Sequence, residues 1–584
     1  MLDAPALLGV ACSATGRRWV GPDPEAERRG LAIAQRAALP EIVGRALAAR
    51  GVSAEEAEAY LDPRLRDLLP DPSALRDMDA AAERLAAAVR RRERIAIFAD
   101  YDVDGAASAA IVTRWLRALG RDATIYVPDR IAEGYGPNAP AMRALAESHD
   151  LVLCVDCGAA APEPVAAARA AGAEVLIADH HLCETVPADA RAVVNPNRPG
   201  DESGLGHLCA AGVAFLLIVA ANRALRAAGV APSDPMPLLD LVALATVADV
   251  APLIGLNRAF VRQGLRVMAA RRNPGLRALA DAARLSGPPA AFHLGFMLGP
   301  RVNAGGRIGA AELGARLLTT EDPGEAAALA ARLDALNRER QAIEAAVLEQ
   351  ATAQAEARGP DGALVWAAGE GWHPGVVGIV ASRLKERFDR PAVVIGLADG
   401  EGKGSGRSVD GVDLGSAVAR LAAEGALLKG GGHRMAAGLT VAEDSLADAM
   451  TRLETLLARQ GAAARGPADL RCDGALTPGG VTVDLCEMLE AAGPWGAAAP
   501  APRFALPGLR VQGLRPMGAR HLAMRATDGA TRIDAVAFGA ADGPLGQFLR
   551  ETAGGRLHLA GRVEINDWRG RRTARLRIED AAPA

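Results

Sequence analysis

Several features that commonly reveal a protein's class are scarce in this 584-residue chain. Aromatic residues make up only 3% of it, and the formal net charge is −4, so no global basic field indicates nucleic acid. Seven scattered cysteines do not form a disulfide framework in a chain this long. The amino terminus has no basic segment followed by an apolar core, and the longest apolar stretches, such as residues 210–221, are too short to span a bilayer. We therefore expect a cytoplasmic protein of several domains without a membrane segment, in which any nucleic-acid site is a local patch.

Residues 94–108 combine a short apolar run with a group of acids. An apolar run without polar alternation is typical of a parallel strand that is buried on both faces. It ends at Asp100, Asp102 and Asp104, whose alternate positions would point the same way on an extended chain. Three such carboxylates repel one another, and a divalent cation would relieve that repulsion. The alternative is a polar turn in which Asp-Gly reverses the chain, and these residues alone leave both interpretations open.

Strand-like and helix-like segments alternate from there to about residue 255, which predicts a parallel, doubly wound sheet. Two further buried strands, 151–155 and 174–178, end in Asp156 and in Asp179-His180-His181. In open α/β sheets the carboxyl ends of the strands form the ligand-binding edge, so these groups are expected to lie together. Asp and His without thiolate suit Mn²⁺ or Mg²⁺. The number of carboxylates indicates two ions, which serve phosphoester hydrolysis when roughly 3.5–4 Å apart.

A competing motif overlaps the second of these strands. Cys154 and Cys157 form a C-x-x-C pair, which can hold zinc or exchange disulfides. Because no second cysteine pair lies nearby, the sequence favours two small core residues.

Three glycine-rich segments carry side chains that could contact phosphate. Residues 299–309 are expected to form a loop offering Arg301, Asn303 and Arg307. Residues 402–408 and 429–434 are expected to be polar loops of a second α/β unit, which spans about 362–465. Ordinary surface turns explain each segment equally well, and none has the spacing of a nucleotide P-loop.

The remaining segments indicate a connector and a small barrel. Residues 321–358 have a long helical pattern without a clean heptad, which favours a connector over a coiled coil. Five short β-like runs after residue 467 predict a barrel of the oligonucleotide-binding type; they are 509–514, 521–525, 532–538, 556–564 and 573–578. Arginine outnumbers acid there, notably in residues 568–577, where Trp568 could stack on a base. A plain basic surface is the alternative.

Together these motifs resemble those of the DHH phosphoesterases, whose signature is matched by Asp179-His180-His181. The resemblance runs nearly end to end, through residues 100–105, 155–158, 248–252, 300–303 and 431–433 and the terminal barrel. Ala99 and Gly305 stand where glycine and alanine are common, and neither departure changes a ligand. The resemblance implies a DHH domain with a parallel doubly wound sheet, a connector, a DHH-associated α/β domain that binds substrate, and an OB-type nucleic-acid-binding barrel. Its expected boundaries are a helical extension packed on the DHH domain (1–75), the DHH domain (76–318), the connector helix (319–360), the DHH-associated domain (361–465) and the barrel (466–584).

The resemblance also implies roles for individual residues. It implies two Mn²⁺ or Mg²⁺ ions held by Asp102, Asp104, Asp156, His180 and Asp249, of which Asp249 rests on family likeness alone. It implies catalytic or supporting roles for Asp100, which would orient ligands, for Asp179, which would orient the histidines, and for His181, which would touch the scissile phosphate or help proton transfer. It implies DNA contacts from Arg130, Arg301, Asn303, Arg307, Ser405 and Arg407, with Gly431, Gly432 and His433 closing the cleft from the second lobe.

The function implied by the resemblance is metal-dependent 5′-to-3′ degradation of single-stranded DNA to 5′-mononucleotides, in DNA repair and recombination. The implied partners of this monomer are single-stranded DNA, a single-strand-binding protein and a helicase. One alternative is another DHH phosphoesterase that cleaves short oligoribonucleotides, cyclic dinucleotides or pyrophosphate, and the added barrel favours long strands over these. Another alternative is a non-catalytic nucleic-acid-binding protein, against which the intact acids and histidines argue.

Overall fold

A computed structural model describes residues 6–130, 132–462, 469–568 and 570–584; the side chain of Trp568, a candidate for base stacking, lies outside the described part. The chain forms two compact units. Unit 1 comprises Met1–Leu68, Leu253–Gly255 and Pro467–Ala584, and unit 2 comprises Leu69–Pro252 and Leu256–Gly466. Unit 1 is therefore built from the two ends of the chain.

The N-terminal part of unit 1 is mostly helical. Its elements are β1 (Trp19–Val20), α1 (Pro24–Ala37), α2 (Glu41–Ala48), α3 (Ala57–Leu61) and α4 (Leu65–Leu68). β1 pairs in parallel with Leu470–Arg471 from the other end of the chain. The packing of residues 1–75 on the DHH domain stays a prediction. The sequence pattern did not indicate that most of these residues belong to one unit with the C-terminal region.

Unit 2 begins with the parallel sheet that the sequence predicts. Its elements are α5 (Met78–Arg91), β2 (Ile95–Ala99), α6 (Val103–Ala118), β3 (Thr124–Tyr126), α7 (Ala139–Ser148), β4 (Leu151–Val155), α8 (Pro162–Ala170), β5 (Glu174–Ala178) and β6 (Ala192–Val194). The strands run parallel in the order β3-β2-β4-β5-β6. The order reverses between β2 and β4, and in doubly wound sheets this switch point is where ligands bind. β6 was not predicted.

Helices complete this domain and lead to the next one. They are α9 (Ala210–Ala227), α10 (Leu239–Ala248), α11 (Gly255–Ala269), α12 (Pro274–Ala282), α13 (Ala291–His293), α14 (Gly299–Ile308), α15 (Leu313–Thr319) and α16 (Pro323–Arg358). A π-helical turn, Leu294–Leu298, separates α13 from α14. The 36-residue α16 is the predicted connector helix.

Helix α9 is the one described helix whose length and composition would allow it to cross a membrane. In the structure 72% of this 18-residue segment is buried. It packs against α5 and α6, which is the environment of a core helix.

The second domain of unit 2 has a mixed sheet. Its elements are β7 (Val365–Glu370), α17 (Pro374–Phe388), β8 (Ala392–Ala398), β9 (Glu401–Arg407), α18 (Leu414–Ala423), β10 (Lys429–His433), β11 (Ala436–Ala442) and α19 (Leu446–Ala458). The strand order is β10-β11-β9-β8-β7, and only β7 and β8 run parallel. This is the predicted second α/β domain.

The C-terminal part of unit 1 is a closed five-stranded barrel. Its region contains β12 (Leu470–Arg471), α20 (Val483–Ala491), β13 (Phe504–Met517), β14 (His521–Thr527), β15 (Arg532–Ala537), α21 (Pro544–Glu551), β16 (Arg556–Trp568) and β17 (Arg571–Pro583). The order around the barrel is β13-β14-β15-β17-β16. Inward side chains such as Phe504, Leu522 and Leu576 form one core with residues of α2 and α20. The predicted OB-type barrel is confirmed.

Three expected loops are regular elements instead. Residues 299–309 form helix α14, residues 402–408 largely form strand β9, and residues 429–434 largely form strand β10. In β9 the glycines alternate, and a Cβ at Gly402, Gly404 or Gly406 would press on apolar side chains of neighbouring elements. The glycines therefore make room in a packed sheet, which composition alone does not distinguish from a flexible loop.

Candidate active site

The three acids after β2 lie on a strand–turn–helix corner. Asp100 directly follows the strand, and Asp102 caps α6, since its Oδ1 accepts the N–H groups of Asp104 (2.8 Å) and Gly105 (3.2 Å). Asp104 lies in the first helical turn. The expectation that all three acids extend from one strand is therefore wrong, because the helix begins at Val103. Gly105 is required at this corner, because a Cβ there would collide with the carbonyl oxygen of Asp100.

A second helix supports Asp104 at this edge, and a further acid reaches the edge from β4. Asp104 is held from the far side by the first N–H groups of α9, those of Ala210 (2.7 Å) and Ala211 (2.8 Å). Asp156 follows β4 with a left-handed φ of 60°, a strained conformation for a residue with a side chain. Its buried Oδ1 has no hydrogen-bond partner within the described residues.

The Asp179-His180-His181 segment follows β5 and brings both histidines close to Asp156 Oδ1. Asp179 accepts the N–H groups of Ala159, His180 and His181 and, at 2.8 Å, the Nδ1 of His181. It therefore orients the turn and one imidazole. His180 Nε2 is left to face Asp156 Oδ1 at 3.3 Å.

The predicted ligands converge on this imidazole. His180 Nε2 also lies 3.7 Å from Asp104 Oδ2 and 3.9 Å from Asp249 Oδ2, at the end of α10. The ligand atoms form three groups, and within each group they all lie within 4.8 Å of one another. The groups are Asp156 with His180 and His181, Asp104 with His180 and Asp249, and Asp100 with Asp102 and Asp156. All five predicted metal ligands, together with Asp100 and His181, thus belong to one cluster.

The electrostatics of the cluster fit a bound divalent cation. Burial and neighbouring carboxylates raise the pKa of Asp100 and Asp156 well above the ordinary value, and burial also raises the pKa of Asp104. The pKa of Asp249 is raised to about 8 by burial and by Asp104. Asp100 Oδ1, like Asp156 Oδ1, is buried without a described partner. Buried carboxylates that resist ionisation and lack donors require positive charge, and this oxygen-rich set with imidazole suits Mn²⁺ or Mg²⁺.

His181 has the opposite electrostatic environment. Burial would lower its pKa, but the hydrogen bond and negative charge of Asp179 raise the pKa to about 9. Burial acts to raise the pKa of Asp179, and the bond from His181 outweighs it, so that this pKa is lowered. The two side chains form an ion pair at the edge of the cluster, which leaves His181 as a cation that could face a phosphate.

Arginines from three elements gather beside the acids. Arg130, in the loop after β3, lies over the ring of Tyr101 at 5.2 Å. Burial and the positive charges of Arg130 and Arg340 lower the pKa of Arg307 to about 10, and burial and Arg130 lower the pKa of Arg407. Arg407 also donates to Ser405 Oγ at 2.9 Å. We call Arg130, Arg307 and Arg407 the arginine cluster. Their positive charges repel one another, and none of the three has a carboxylate partner among the described ion pairs. An anion would therefore bind favourably there.

Comparison with known proteins identifies this arrangement. Residues 94–246 match the DHH family, N-terminal domain; residues 361–459 match the DHHA1 domain; and residues 472–580 match the RecJ OB domain. The chain is 38% identical over 570 residues to the single-stranded-DNA-specific exonuclease RecJ of Escherichia coli, covering 94% of this chain and 96% of that protein. The chain belongs to the RecJ family.

Other RecJ proteins agree with this assignment over most of the chain. The Bacillus subtilis RecJ is 33% identical over 583 residues, covering 97% of this chain and 71% of that protein. The crystal structure of RecJ in complex with Mn²⁺ from Thermus thermophilus has a TM-score of 0.80 at 32% identity, and it covers 97% of this chain and 79% of that chain. A Mg²⁺ complex of RecJ from the same organism has a TM-score of 0.74 at 31% identity, with 97% and 78% of the two chains covered.

Not every residue predicted to contact DNA in this RecJ chain belongs to the arginine cluster. Arg301 pairs with Asp334 of α16 at 2.9 Å and donates to the carbonyl of Met297. Asn303 accepts the N–H of Val103 at 3.0 Å, so it supports the corner that carries the acids. Gly431, Gly432 and His433 lie on β10, at the edge of the second sheet. The DNA contacts of all the residues in this paragraph stay predictions.

The sequence did not single out Tyr135, which the structure adds to the RecJ site. Its hydroxyl lies 3.2 Å from the His181 ring nitrogens, although the residue is 55% exposed. Burial raises its pKa, and Asp156 and other acids add to this effect. A tyrosine between two glycines, Gly134-Tyr135-Gly136, was the signal available in the sequence.

Proposed function

We propose that this protein is a metal-dependent exonuclease that degrades single-stranded DNA from its 5′ end to 5′-mononucleotides, by two-metal hydrolysis of the phosphodiester bond. Its expected roles are DNA repair and recombination. The observation that carries the proposal is the adjacency of two opposite clusters at one sheet edge. Carboxylates and histidines suited to divalent cations lie beside arginines that have no carboxylate partner among the described ion pairs. This combination serves a phosphodiester better than a neutral substrate.

Two ions can be assigned to the convergent ligand sets. Asp104, His180 and Asp249 would hold one ion, and Asp102 and Asp156, with Asp100 behind them, would hold the other. When bound, the ions supply an activated water and neutralise charge on the phosphoryl oxygens. The solved relatives in complex with Mn²⁺ and Mg²⁺ support both metals as candidates.

The protein's own groups would position the strand for this chemistry. His181, cationic through Asp179 and hydrogen-bonded by Tyr135, would contact the scissile phosphate or move a proton to the leaving oxygen. Arg130, Arg307 and Arg407 would bind the terminal phosphate. A terminal phosphate carries more negative charge than an internal phosphodiester, so an unpaired arginine cluster favours a phosphorylated strand end. The 5′-to-3′ direction itself is inferred from the family resemblance.

The barrel supports a long single strand as the substrate. Arg510, Arg525 and Arg532 alternate with core residues on β13, β14 and β15 and lie on the outer face. Of these, only Arg525 has a carboxylate partner among the described residues, Asp534 at 3.6 Å. Phe538, directly after β15, is 39% exposed. Its ring lies 5.3 Å from that of His521, and the guanidinium groups of Arg575 and Arg577 lie over it at 5.7 and 5.3 Å. Unpaired cations and an exposed ring are the features of a single-strand platform.

The basic run that the sequence emphasised is partly neutralised. Arg572 pairs with Glu487 and Arg575 with Glu564, both at 2.6 Å. We therefore assign the DNA-binding face to β13–β15 and Phe538, and not to the paired Arg572 and Arg575.

The cellular setting follows from the same proposal. A monomer in the cytoplasm would act on single strands that a helicase opens and a single-strand-binding protein covers.

End-labelled substrates test the proposal. With Mn²⁺ supplied, 5′-labelled single strands should release labelled mononucleotide from the first turnover, whereas 3′-labelled strands should shorten progressively. Duplex DNA, short RNA and cyclic dinucleotide should be cleaved at least tenfold more slowly. Preferential digestion of duplex, or of cyclic dinucleotide alone, would overturn the proposal.

Single substitutions test the metal assignment. Asp102→Ala and His180→Ala should each abolish cleavage, because they remove an ion ligand, while single-stranded DNA still binds through the arginines. Binding is measured by fluorescence anisotropy and cleavage by gel. Wild-type turnover in either variant would show that the metal ligands are wrongly assigned.

A further inference from the structure

Two asparagines outside the ligand set contact the main chain of both site histidines. They lie in Asn195-Pro196-Asn197, directly after the edge strand β6. Asn195 Nδ2 donates to the carbonyl oxygen of His181 at 2.8 Å, and Asn197 Nδ2 donates to that of His180 at 2.7 Å. The pair, which we call the asparagine clamp, supplies a donor to the main-chain carbonyl of each histidine.

The clamp is itself held in place. Asn195 is fully buried, and its Oδ1 accepts the N–H of Asn197 at 2.8 Å. The Asn197 amide also donates to the carbonyl of Gly206 at 3.1 Å, and a Cβ at Gly206 would lie 2.5 Å from Asn197 Oδ1. Neither amide can therefore rotate without breaking a second hydrogen bond.

β6 also aligns the segment that the clamp holds. The N–H of Asp179 donates to the carbonyl of Val194, the last residue of β6, at 3.0 Å. The residues from Asp179 to His181 are thus fixed both by the strand and by the two amides that follow it. Side-chain contacts fix the His181 ring better than the His180 ring. His181 bonds to Asp179, whereas the described ion pairs of His180 Nε2 are all with the site carboxylates.

We propose that Asn195 and Asn197 are positioning residues of the metal centre, an inference that rests on the proposed function. By fixing the main chain of His180 and His181, the clamp keeps His180 Nε2 directed at Asp104, Asp156 and Asp249 before any ion binds. Histidine ligands in proteins are commonly oriented by a hydrogen bond to the ring, and removing such a bond weakens metal affinity by about 10- to 100-fold. Here the orienting bonds act on the backbone instead.

Asn195→Asp and Asn197→Asp isolate the donor function. Aspartate keeps the shape of the side chain and an acceptor for the Asn197 N–H, but it places an oxygen where Nδ2 donates to a histidine carbonyl. The two oxygens repel, so the segment should shift. Because Asn197 is only partly buried, its variant should remain folded if the Asn195 variant does not.

A matched control exists in the same domain. Asn222 of α9 accepts from Trp115 Nε1 at 2.9 Å and donates through Nδ2 to the carbonyl of Ser233 at 2.8 Å. Asn222→Asp therefore removes the same kind of bond at a place that holds no histidine. It reports the general effect of a buried asparagine-to-aspartate change.

The experiment measures Mn²⁺ affinity by calorimetry and electron paramagnetic resonance, together with single-stranded DNA binding in the absence of divalent ions. The clamp variants should bind Mn²⁺ about 10- to 100-fold more weakly, should cleave more slowly even at saturating Mn²⁺, and should bind metal-free DNA like wild type. Asn222→Asp should keep wild-type Mn²⁺ affinity. Wild-type Mn²⁺ affinity in a folded clamp variant, or an equal loss in Asn222→Asp, would overturn the inference alone. A wild-type protein that binds no Mn²⁺ would overturn the proposed function as well.

Discussion

Asp104 and Asp179 are both buried, yet the protein stabilises their charge differently. Asp179 accepts three backbone N–H groups and the His181 ring, and its pKa is lowered. Asp104 accepts two N–H groups from α9, but burial still raises its pKa. Asp104 therefore lacks positive charge that an ion would supply, whereas Asp179 already has a cationic partner. The opposite pKa shifts of the two acids therefore distinguish Asp104, a metal-ligand candidate, from Asp179, which orients His181. Their positions in the sequence do not make this distinction.

The Asp179–His181 pair gives a testable pH dependence. Because Asp179 raises the pKa of His181 to about 9, the ring should stay protonated below that pH in the metal-free protein. In Asp179→Asn the largest raising effect disappears and burial remains, so the ring should lose its proton at a lower pH than in the wild type. Titration of the ring nitrogens by NMR measures this. An unchanged titration would contradict the assigned pair.

The arginine cluster predicts recognition of the strand end. Arg407→Met should lower kcat/KM for a 5′-phosphorylated strand by about tenfold or more, because it removes a charge-assisted hydrogen bond to phosphate. It should change kcat/KM for a 5′-hydroxyl strand much less. Arg301→Met is the control, since Arg301 is already bound to Asp334. An equal loss on both strands would mean that the cluster does not read the terminal phosphate.

Helix α14 and strand β9 explain where pattern reading fails. The buried strands β2, β4 and β5 were predicted within a residue, because short apolar runs without polar alternation are typical of strands buried on both faces. α14 contains four glycines or prolines in ten residues, so its propensity favours a loop. It is helical because Gly306 lets it approach Tyr101 closely, where a Cβ would lie 2.6 Å from the Tyr101 carbonyl oxygen. Such packing joins distant segments, and a local pattern does not contain it.

The same limit applies to the barrel face. The arginine content of the sequence predicted a basic barrel. Only the strand pairing reveals that Arg575 faces Glu564 across β16 and β17. Which arginines remain unpaired depends on register, and register depends on the closed sheet.

Salt dependence tests the assigned barrel face. Replacing Arg510 and Arg532 by Gln should weaken binding of a long single strand and reduce the slope of log K against log salt by about 0.7 for each phosphate that the variant no longer neutralises. The same change at Arg572 and Arg575 should alter the slope little, because those residues are paired with glutamates. Filter binding between low and moderate salt measures both. A larger effect at Arg572 and Arg575 would place DNA at the paired residues instead of on β13–β15.

The stability of unit 2 should depend on one buried acid away from the site. Asp240 on α10 is only 3% exposed, and burial raises its pKa from 3.8 to about 7. The folded state therefore binds a proton that the unfolded chain releases, so this contribution to stability is full below pH 4 and is lost as the pH rises to 7. Asp240→Asn should remove this dependence and raise the free energy of unfolding above pH 7 by up to about 4 kcal/mol. Denaturant midpoints of both proteins at several pH values measure the difference. Parallel pH profiles would contradict it.

Unit 1 also constrains the order of events during synthesis. Residues up to Leu68 leave the ribosome first, but β1 pairs with Leu470–Arg471, and the unit resumes at Pro467. At about 5–20 residues per second, roughly 400 intervening residues take about 20–80 s to be translated. Unit 2 can complete its sheet in that interval, while the amino-terminal helices wait without their main partner. The barrel region, made later, therefore completes a unit whose first part has lacked its main partner for that interval.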